Sequence, residues 1–489
     1  MGHVSTSTPA VAKDATKDRD PQQMEKDRAT VAELMTKARA AMAAFANASQ
    51  ETVDDAVRAL AWTIYEPGRA KALAEMAVRD TGLGNVPDKI VKNQRKTFGT
   101  LRDLLRARTV GIIAEDPKRG IVQYAKPVGV VGAICPSTNP AATPANKAMM
   151  AVKGRNAIII APSPAGQGTA LRLVEMMRAE LTRAGHPADL IQVLPPPVSK
   201  TLTQALMEAC DLIVVTGSQD NVRRAYGSGK PAIGVGAGNV PVIIDSSADF
   251  DQAAAKICAS KTFDNSTSCS SENSLIIVDD AYDRAIAALR KVGGYLATPA
   301  EKAAIREKLW VNGSLNRHII AKDPQVFAEM TGLPDAAKKA KFFMVEETGV
   351  GRDHPFSGEK LSLALAVYRA RDFDAAIARV REILAFQGAG HSCGVHTSDL
   401  DHARRLASEL DVVRVLVNQA HAFGNGGSFD NGLNFTLSMG CGTWGGNSIS
   451  ENLNYRNFIN ITHLSTVIPE DKPTEDELFG PYFARHGRG

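Results

Sequence analysis

The sequence predicts an α/β protein in which a helical layer precedes two α/β segments. Amphipathic helical patterns fill the chain up to about residue 82, and short β-branched runs then alternate with helical ones. That alternation is typical of βαβ units and of a parallel sheet covered on both faces. With 489 residues, 44% of them hydrophobic, the chain is long enough for two or three domains with a sizeable core.

The composition favours a protein that binds small molecules and works in a reducing compartment. The 57 basic and 53 acidic residues leave a formal charge of +4, without the basic stripe that nucleic-acid binding requires. The six cysteines show no paired short spacing, which argues against a zinc site and a disulfide framework. No signal peptide or membrane-spanning run is present in the sequence. We therefore expect a cytoplasmic protein with no nucleic-acid or membrane partner.

The first helices are predicted from caps and apolar spacing. Residues 1–19 lack an apolar period and are predicted to be a disordered tail. Asp20 and Pro21 suit the N-cap and first position of a helix, which continues with apolar residues at helical spacing. Two further amphipathic runs follow, at residues 51–66 and 69–82.

A hairpin is predicted at about residues 109–126, around Pro117 and Gly120, and it leads into a buried strand. Further strand-like runs are separated by helical patterns, and a second α/β segment begins near Phe250. The strand-like runs of the first segment are GVVGAIC, NAIIIAP, LIQVLP, LIVVTG and PVIID.

The familiar phosphate-binding fingerprints are absent from the sequence. No GxGxxG follows the first strand, and GSGKP at 227–231 lacks the residues of a P-loop. Three other loops follow predicted strands directly: CPSTNP at 135–140, APSP at 161–164 and VTGSQ at 215–219. Open parallel sheets bind ligands at this edge, so each loop is either a cofactor loop or a simple strand-to-helix turn.

Cys269 lies among hydroxyl and amide side chains in FDNSTSCSSEN, at 263–273. A free cysteine usually packs as a small apolar residue, and reactivity requires a suitable pKa and access. The stretch alone leaves both interpretations open. Likewise GVGAGN, at 234–239, suits either a close backbone approach or a flexible turn. His391 and Cys393, two residues apart, do not make a metal site, and none is predicted.

Taken in order, six stretches resemble the aldehyde dehydrogenase superfamily, and in particular its coenzyme-A-acylating branch. The resemblance covers the chain from about Val31 to its end. The stretches are STNPAATPANKAMMAVKGRNAIIIAP, VTGSQ with AYGSGKPAIGVGAGNVPVIID, TFDNSTSCSSENS, GEKLSLALAVYRARDF, GAGHSCGVHT and GCGTWGGNSISEN.

This resemblance implies an aldehyde dehydrogenase-like fold: a Rossmann-type nucleotide-binding domain, an α/β catalytic domain and a small β oligomerisation arm. The nicotinamide cofactor-binding domain would span residues 20–249, including the hairpin, and the catalytic domain residues 250–439. Residues 440–489 would be a return segment with a C-terminal oligomerisation strand, NFINITHLSTVIP. A homo-oligomer, dimer or tetramer, is implied.

The site residues follow from the same resemblance. Cys269 matches the nucleophile, which attacks the aldehyde carbon. Asn139 matches the side-chain donor of the oxyanion hole, and the Cys269 backbone N–H is the second donor. Glu359 would lie near the nicotinamide ribose, and NAD and NADP both remain open. The positions matching residues along the dinucleotide are Pro136, Thr138, Ser163, Gly217 and Ser218.

The acyl acceptor is expected to be coenzyme A. Hydrolytic members of the superfamily activate water with a glutamate, and the matching position here is Val235, in a stretch without a carboxylate. A thiol needs less help than water because it ionises more readily and is more nucleophilic. Whether Glu272, three residues after the nucleophile, serves as a general base remains open.

The resemblance implies oxidation of a short aldehyde, with sulfoacetaldehyde as the best match. Hydroxyls at Thr267 and Ser268, with a cation such as Arg456, would suit a sulfonate; the alternative is that the serines only cap the loop. Acylating enzymes for acetaldehyde, propionaldehyde or succinate semialdehyde, a hydrolytic dehydrogenase, and a non-catalytic structural protein are the alternatives.

Overall fold

The computed structural model describes residues 20–488, so the predicted disordered tail lies outside the described residues. Asp20 caps the first helix by accepting a hydrogen bond from the Gln22 N–H, as predicted. Gly82 ends the third helix in the left-handed conformation, with φ of 67°. The opening layer consists of α1 (Pro21–Phe45), α2 (Gln50–Tyr65), α3 (Pro67–Thr81) and α4 (Val86–Leu105).

Helix α4 is the one element of this layer that the sequence patterns did not predict. Its buried face is polar, and it includes Lys89, Lys92 and Lys96. These lysines follow one another at helical spacing, so they share one side of the helix. Helix α4 therefore carries charged groups into the protein interior.

A parallel sheet forms the core of the first α/β unit. Its strand order is β5-β4-β3-β6-β7, and every neighbouring pair is parallel. The elements up to this point are β1 (Gly111–Asp116), β2 (Ile121–Pro127), β3 (Val131–Ile134), α5 (Ala142–Lys153), β4 (Ile158–Ala161), α6 (Gln167–Arg183), β5 (Ile191–Val193), α7 (Lys200–Ala209), β6 (Leu212–Thr216), α8 (Gln219–Tyr226) and β7 (Ala232–Val235).

A second parallel sheet forms the other core, with strand order β10-β13-β14-β9-β8-β15-β16. Its elements, with a small separate ribbon of β11 and β12, are β8 (Val240–Ile244), α9 (Phe250–Thr262), β9 (Glu272–Val278), α10 (Tyr282–Lys291), β10 (Gly294–Leu296), α11 (Pro299–Leu309), β11 (Trp310–Val311), β12 (Ser314–Leu315), α12 (Pro324–Met330), β13 (Phe342–Glu346), β14 (Ala364–Ala370), α13 (Phe373–Phe386), β15 (Cys393–His396), α14 (Leu400–Glu409), β16 (Val415–Val417) and α15 (His421–Gly424).

The structure corrects the predicted boundary between the two units. The run PVIID was assigned to the first unit, residues 20–249, but β8 pairs with β9 and β15 inside the second sheet. The chain crosses from one sheet to the other through residues 236–239, directly after β7. No helix separates the two strands there, so the alternation of patterns does not mark the crossing.

The last part of the chain returns to the predicted hairpin. Strand β17 (Ile459–Ser465) pairs antiparallel with β2, and the resulting sheet has the order β1-β2-β17. Most of β17 is exposed, and helix α16 (Glu475–His486), which was not predicted, buries none of its residues. Between residues 20 and 488, no helix has the length and apolar character needed to cross a bilayer.

Candidate active site

The loop between α9 and β9 carries Cys269 and begins with unusual backbone. Asp264, Asn265 and Ser266 have φ of 50°, 53° and 60°. The left-handed region costs an L-residue about 1–2 kcal/mol. Three such residues in succession persist only where other interactions hold them, and for Asp264 those interactions come largely from helix α4.

The Asp264 carboxylate is the anchor of this loop. It is fully buried and accepts hydrogen bonds from Lys89 Nζ at 3.0 Å, from Lys92 Nζ and from Thr267 Oγ1 at 2.7 Å. Burial by itself would raise the pKa of Asp264, but the two ammonium groups hold that pKa below its usual value. The ionised carboxylate therefore ties the loop to α4.

Lys92 also orients the predicted oxyanion donor. Its Nζ donates to Asn139 Oδ1 at 2.9 Å and to Thr267 Oγ1 at 3.2 Å. Because the amide oxygen of Asn139 is the acceptor in this contact, its NH₂ group is left as the donor. The only other contact of this amide is a long one, 3.5 Å, to Thr138 Oγ1. Asn139 and the loop of Cys269 are thus joined through one ammonium group.

Cys269 differs from the other cysteines of the described chain in being partly exposed, whereas the remaining five are buried. Burial of the sulfur raises the pKa of its thiol to about 12, and the nearby Glu359 and Cys441 raise it further. Burial raises the pKa of Glu359 to about 7, while a hydrogen bond from the Gly238 N–H lowers it. The structure therefore places a proton-accepting carboxylate within electrostatic range of a neutral thiol.

Gly238, in the GVGAGN stretch, lies against the nucleophile. A Cβ at this position would be 2.3 Å from the Cys269 carbonyl oxygen and 2.8 Å from His391 Nε2. Real Cβ atoms do not come that close, so only glycine fits without rearrangement. Of the two interpretations of this stretch, the structure favours the close backbone approach.

His391 is a site residue that the sequence patterns missed. It is buried, its Nδ1 lies 2.8 Å from Ser392 Oγ, and its Nε2 has no hydrogen-bond partner. Burial lowers the pKa of its imidazole far below the usual value. A neutral imidazole beside Cys269 is thus available to accept a proton. Its one sequence signal was a histidine in a glycine-rich stretch, which alone is too common to be used.

The hydroxyls around the nucleophile mainly stabilise the loop. Thr267 is bound to Asp264, as described above. Ser270 Oγ accepts from Asn425 Nδ2 at 2.9 Å, and Ser271 Oγ lies 3.0 Å from Ser266 Oγ. Ser268 Oγ accepts from the Ser270 backbone N–H at 3.2 Å. The loop-capping interpretation of these hydroxyls is therefore the better one.

The structure also describes the surroundings of Glu272 and Arg456, for which the sequence left a role open. Both carboxylate oxygens of Glu272 already have donors, the Ser260 hydroxyl at 2.6 Å and the His421 N–H at 3.2 Å. Glu272 thus holds α9 and α15 together. Arg456, suggested as a cation for the substrate, is exposed and lies over the ring of Tyr455, and its role stays a prediction.

The predicted cofactor residues lie at the ends of three adjacent strands. Pro136 and Thr138 follow β3, Ser163 follows β4, and Gly217 and Ser218 follow β6. Ser163 and Ser218 each cap the helical turn that comes next. Gly217 has φ of 155° and open space where a side chain would stand. This edge, at the point where strand order reverses, fits a dinucleotide.

The described residues include no group of three histidine, cysteine or acidic side chains that could hold a metal ion. The candidate site brings together a cysteine, an oriented amide donor and a dinucleotide-type sheet edge. Comparison with known proteins names the family of the chain. Residues 5–295 match the aldehyde dehydrogenase family model, and the chain belongs to the aldehyde dehydrogenase family.

Individual relatives give a finer comparison. The chain is 56% identical to a sulfoacetaldehyde dehydrogenase (acylating) of Cupriavidus necator over 94% of this chain and 93% of that protein. It is 41% identical to a sulfoacetaldehyde dehydrogenase (acylating) of Bilophila wadsworthia, over 94% of this chain and 100% of that protein. The crystal structure of an acetylating aldehyde dehydrogenase from Geobacillus thermoglucosidasius has a TM-score of 0.88 at 36% identity, covering 92% and 99% of the two chains.

Proposed function

We propose that this protein oxidises sulfoacetaldehyde to the corresponding acyl-coenzyme A, with NAD or NADP as hydride acceptor and coenzyme A as co-substrate. The observation that carries the proposal is that Lys92 joins Asn139 to Thr267, in the loop that carries Cys269, beside a segment, 232–239, that contains no carboxylate. An amide donor fixed beside the cysteine loop supports covalent catalysis on sulfur. The absence of a carboxylate from segment 232–239 disfavours release of the acyl group to water.

The first step forms a bond between Cys269 Sγ and the aldehyde carbon. Glu359 takes the thiol proton, since its carboxylate interacts with the thiol and burial brings its pKa to about 7. The carbonyl oxygen becomes an oxyanion, which accepts hydrogen bonds from Asn139 Nδ2 and the Cys269 N–H. Lys92 keeps the amide turned so that it donates.

The second step removes hydride from the former aldehyde carbon and leaves a thioester on Cys269. A bound nicotinamide supplies the hydride acceptor. In this proposal the loops after β3, β4 and β6 bind the dinucleotide, so the first unit is the cofactor domain. The second unit, with the corrected start at β8, is then the catalytic domain. Glu359 would also contact the nicotinamide ribose.

The third step transfers the acyl group to coenzyme A. His391 Nε2, which has no partner, takes the proton of the incoming thiol. The new thiolate attacks the thioester carbon, the bond to Cys269 Sγ breaks, and Cys269 regains a proton. Val235 is buried in β7, where hydrolytic members of the family would carry the base that activates water. Water therefore has no base at this position to activate it, whereas a thiol reacts without such a base.

The substrate rests on the relatives. Two sulfoacetaldehyde dehydrogenases described as acylating align with nearly the whole chain. An acylating enzyme for acetaldehyde, propionaldehyde or succinate semialdehyde would share the chemistry and differ in the pocket. A hydrolytic dehydrogenase would differ in the acceptor.

One assay separates these functions. Reduction of NAD and of NADP is followed with each aldehyde, with and without coenzyme A, and the product is identified by mass spectrometry. We expect fast turnover of sulfoacetaldehyde that requires coenzyme A, slower turnover of propionaldehyde, and no turnover by Cys269→Ala. Formation of a free carboxylic acid at full rate without coenzyme A would contradict the acylating function. Equal or better turnover of propionaldehyde would contradict the substrate.

We also propose a cytoplasmic homo-oligomer, either dimer or tetramer. The six cysteines are free, as expected of a reducing compartment. The sheet of β1, β2 and β17 carries exposed apolar side chains, among them Ile461 and Leu464 at 44% and 50% exposure. Such a surface is a suitable contact for a second copy of the chain.

A further inference from the structure

Helix α4 places a buried cation without a carboxylate partner near the nucleophile. Lys89 and Lys92 share the Asp264 carboxylate, but Lys96, at 9% exposure, has no acidic partner within residues 20–488. Its Nζ donates to the carbonyl oxygens of Gly426, at 2.7 Å, and Gly427, at 3.4 Å. An ammonium has three N–H donors, so one remains for another acceptor.

A short chain of contacts connects Lys96 to Cys269. Ser270, the next residue after the nucleophile, is bonded to Asn425 through their side chains at 2.9 Å. Gly426, which follows Asn425, accepts from Lys96. The cation therefore belongs to the surroundings of the reacting sulfur.

An isolated buried charge is unfavourable unless an opposite charge joins it. Burial lowers the pKa of Lys96 to about 7, and the like charges of Arg95 and Lys92 lower it further. An anion bound beside Lys96 would reverse this effect. The resting protein thus holds a buried amine whose charged form an adjacent substrate anion would stabilise.

Arg95, on the next position of the same helix, offers a second donor. Its guanidinium donates to Ser428 Oγ at 2.7 Å and lies 5.5 Å and 5.3 Å from the rings of Phe423 and Phe429. Its Nε is buried and has no hydrogen-bond partner. Asp430 offsets part of the charge of Arg95. Lys96 is therefore the principal cation here, and Arg95 is an auxiliary one.

We propose that Lys96, assisted by Arg95, binds the sulfonate group of the aldehyde while Cys269 attacks its carbonyl carbon. The proposal rests on the proposed function for the identity of the aldehyde. A sulfonate carries one negative charge on three oxygens, so it can accept from an ammonium and a guanidinium together. Specificity would then reside in α4 and not in the serines around the nucleophile.

The test is Lys96→Met, which keeps the length of the side chain and removes its charge. We expect KM for sulfoacetaldehyde to rise at least about tenfold, as the loss of a charged hydrogen bond predicts. The kcat/KM for propionaldehyde should be unchanged or higher. Arg106→Met, at the exposed end of α4, is the matched control and should change the kinetic constants for neither substrate.

A parallel loss with both aldehydes, or no loss with either, would overturn the proposal. If Lys96→Met does not fold, Arg95→Met must show a selective rise in KM for sulfoacetaldehyde, and its failure to do so counts equally against the proposal.

Inhibition by ethanesulfonate tests the sulfonate subsite independently of the proposed acylating function. We expect it to compete with propionaldehyde in the wild type and to lose at least about tenfold in affinity in Lys96→Met. Absence of competition in the wild type would overturn the sulfonate subsite even if sulfoacetaldehyde is oxidised. If competition is seen but the enzyme releases free acid without coenzyme A, the subsite stands and the acylating function fails.

Discussion

Cys269 is the nucleophile of the proposed mechanism, and its surroundings favour the protonated thiol. Burial dominates this effect, and the Glu359 carboxylate adds to it, so the resting pKa is about 12. The same carboxylate is the proposed proton acceptor. Glu359 therefore has two opposite effects: it suppresses the free thiolate at rest and removes the proton when an aldehyde is present. This arrangement would limit side reactions of the thiol with other electrophiles.

Glu359→Gln should separate these two effects. Removing the negative charge lowers the pKa of Cys269, so inactivation by iodoacetamide at pH 8.5 should accelerate about tenfold. In both proteins the inactivation rate should rise with pH, since the thiolate fraction grows as pH approaches the pKa from below. Turnover of the aldehyde should fall, because the proton acceptor is lost.

Slower alkylation of Glu359→Gln would show that the carboxylate does not oppose ionisation of the thiol. Rates are measured from residual activity after timed quenching, with intact mass confirming a single modification. Asp251→Asn, an exposed carboxylate on α9, is the control and should react like the wild type.

His391→Ala tests the transfer to coenzyme A. The imidazole is neutral because burial depresses its pKa, so it stays unprotonated throughout the neutral range. Without it, the first NADH or NADPH per active site should still form rapidly, while steady turnover falls by about 100-fold. Stopped-flow absorbance resolves the two phases. Loss of the rapid first phase would place His391 before thioester formation.

Helix α4 connects the nucleophile loop to the oxyanion donor. The strained turn at 264–266 is bonded to α4 through Asp264, and Asn139 is bonded to the same helix through Lys92. One rigid element thus sets the separation of two groups that act on one carbonyl. Fixing such groups from a helix is more accurate than fixing them from mobile loops.

Lys92→Met should lower kcat by about 100-fold, because the Asn139 amide would no longer be held as a donor to the oxyanion. KM for the aldehyde should change far less, since the interaction acts mainly on the transition state. Lys89→Met is the matched control: it removes an ammonium from the same Asp264 without touching the Asn139 side chain. Equal losses in kcat from both variants would indicate a purely structural effect.

Much of the fold was predictable from sequence, and α4 shows why some of it was not. Strands β3, β4 and β6 are continuous apolar runs, and α1 to α3 repeat apolar residues at helical spacing, so their burial is visible in composition. The buried face of α4 carries three lysines with Asn93, Thr97 and Thr100, which resemble a solvated face. The burial of Lys89 and Lys92 depends on Asp264, about 170 positions away in the chain.

The candidate site, like the fold, was predictable from the sequence only in part. Cys269 and Asn139 came from motifs in family order, and Lys92 joins Asn139 to the loop of Cys269. His391 and Lys96 could not be assigned, because a lone histidine or lysine carries no local signature. Within residues 20–488, His391 Nε2 lacks a hydrogen-bond partner and Lys96 lacks a carboxylate partner, and both properties arise only in the folded chain.

Besides the small ribbon of β11 and β12, residues 20–488 form two parallel sheets and a third, antiparallel sheet at the periphery. The first two sheets bury their cores separately. The third sheet joins β17, near the end of the chain, to a hairpin more than 300 residues earlier. Its exposure indicates that it contributes little to either core. We therefore expect it to act between copies of the chain.

Replacing both Ile461 and Leu464 by aspartate should shift the protein from its oligomer to the monomer. Both side chains are exposed apolar groups of β17, so the charges should cost little in the isolated chain and much in a contact between copies. Sedimentation velocity gives the mass, and circular dichroism confirms the fold. Glu115→Lys, on the outer strand β1, is a control for charge alone. An unchanged mass would exclude this surface as the contact.

The unequal exposure of the cysteines has a practical consequence. Cys269 is within reach of solvent, while the thiols of residues 135, 210, 258, 393 and 441 are enclosed. A small alkylating reagent applied to the native protein would therefore consume one equivalent per functional chain. Titration to the endpoint of inactivation would count competent enzyme directly, and every rate could be normalised to it without reference to total protein.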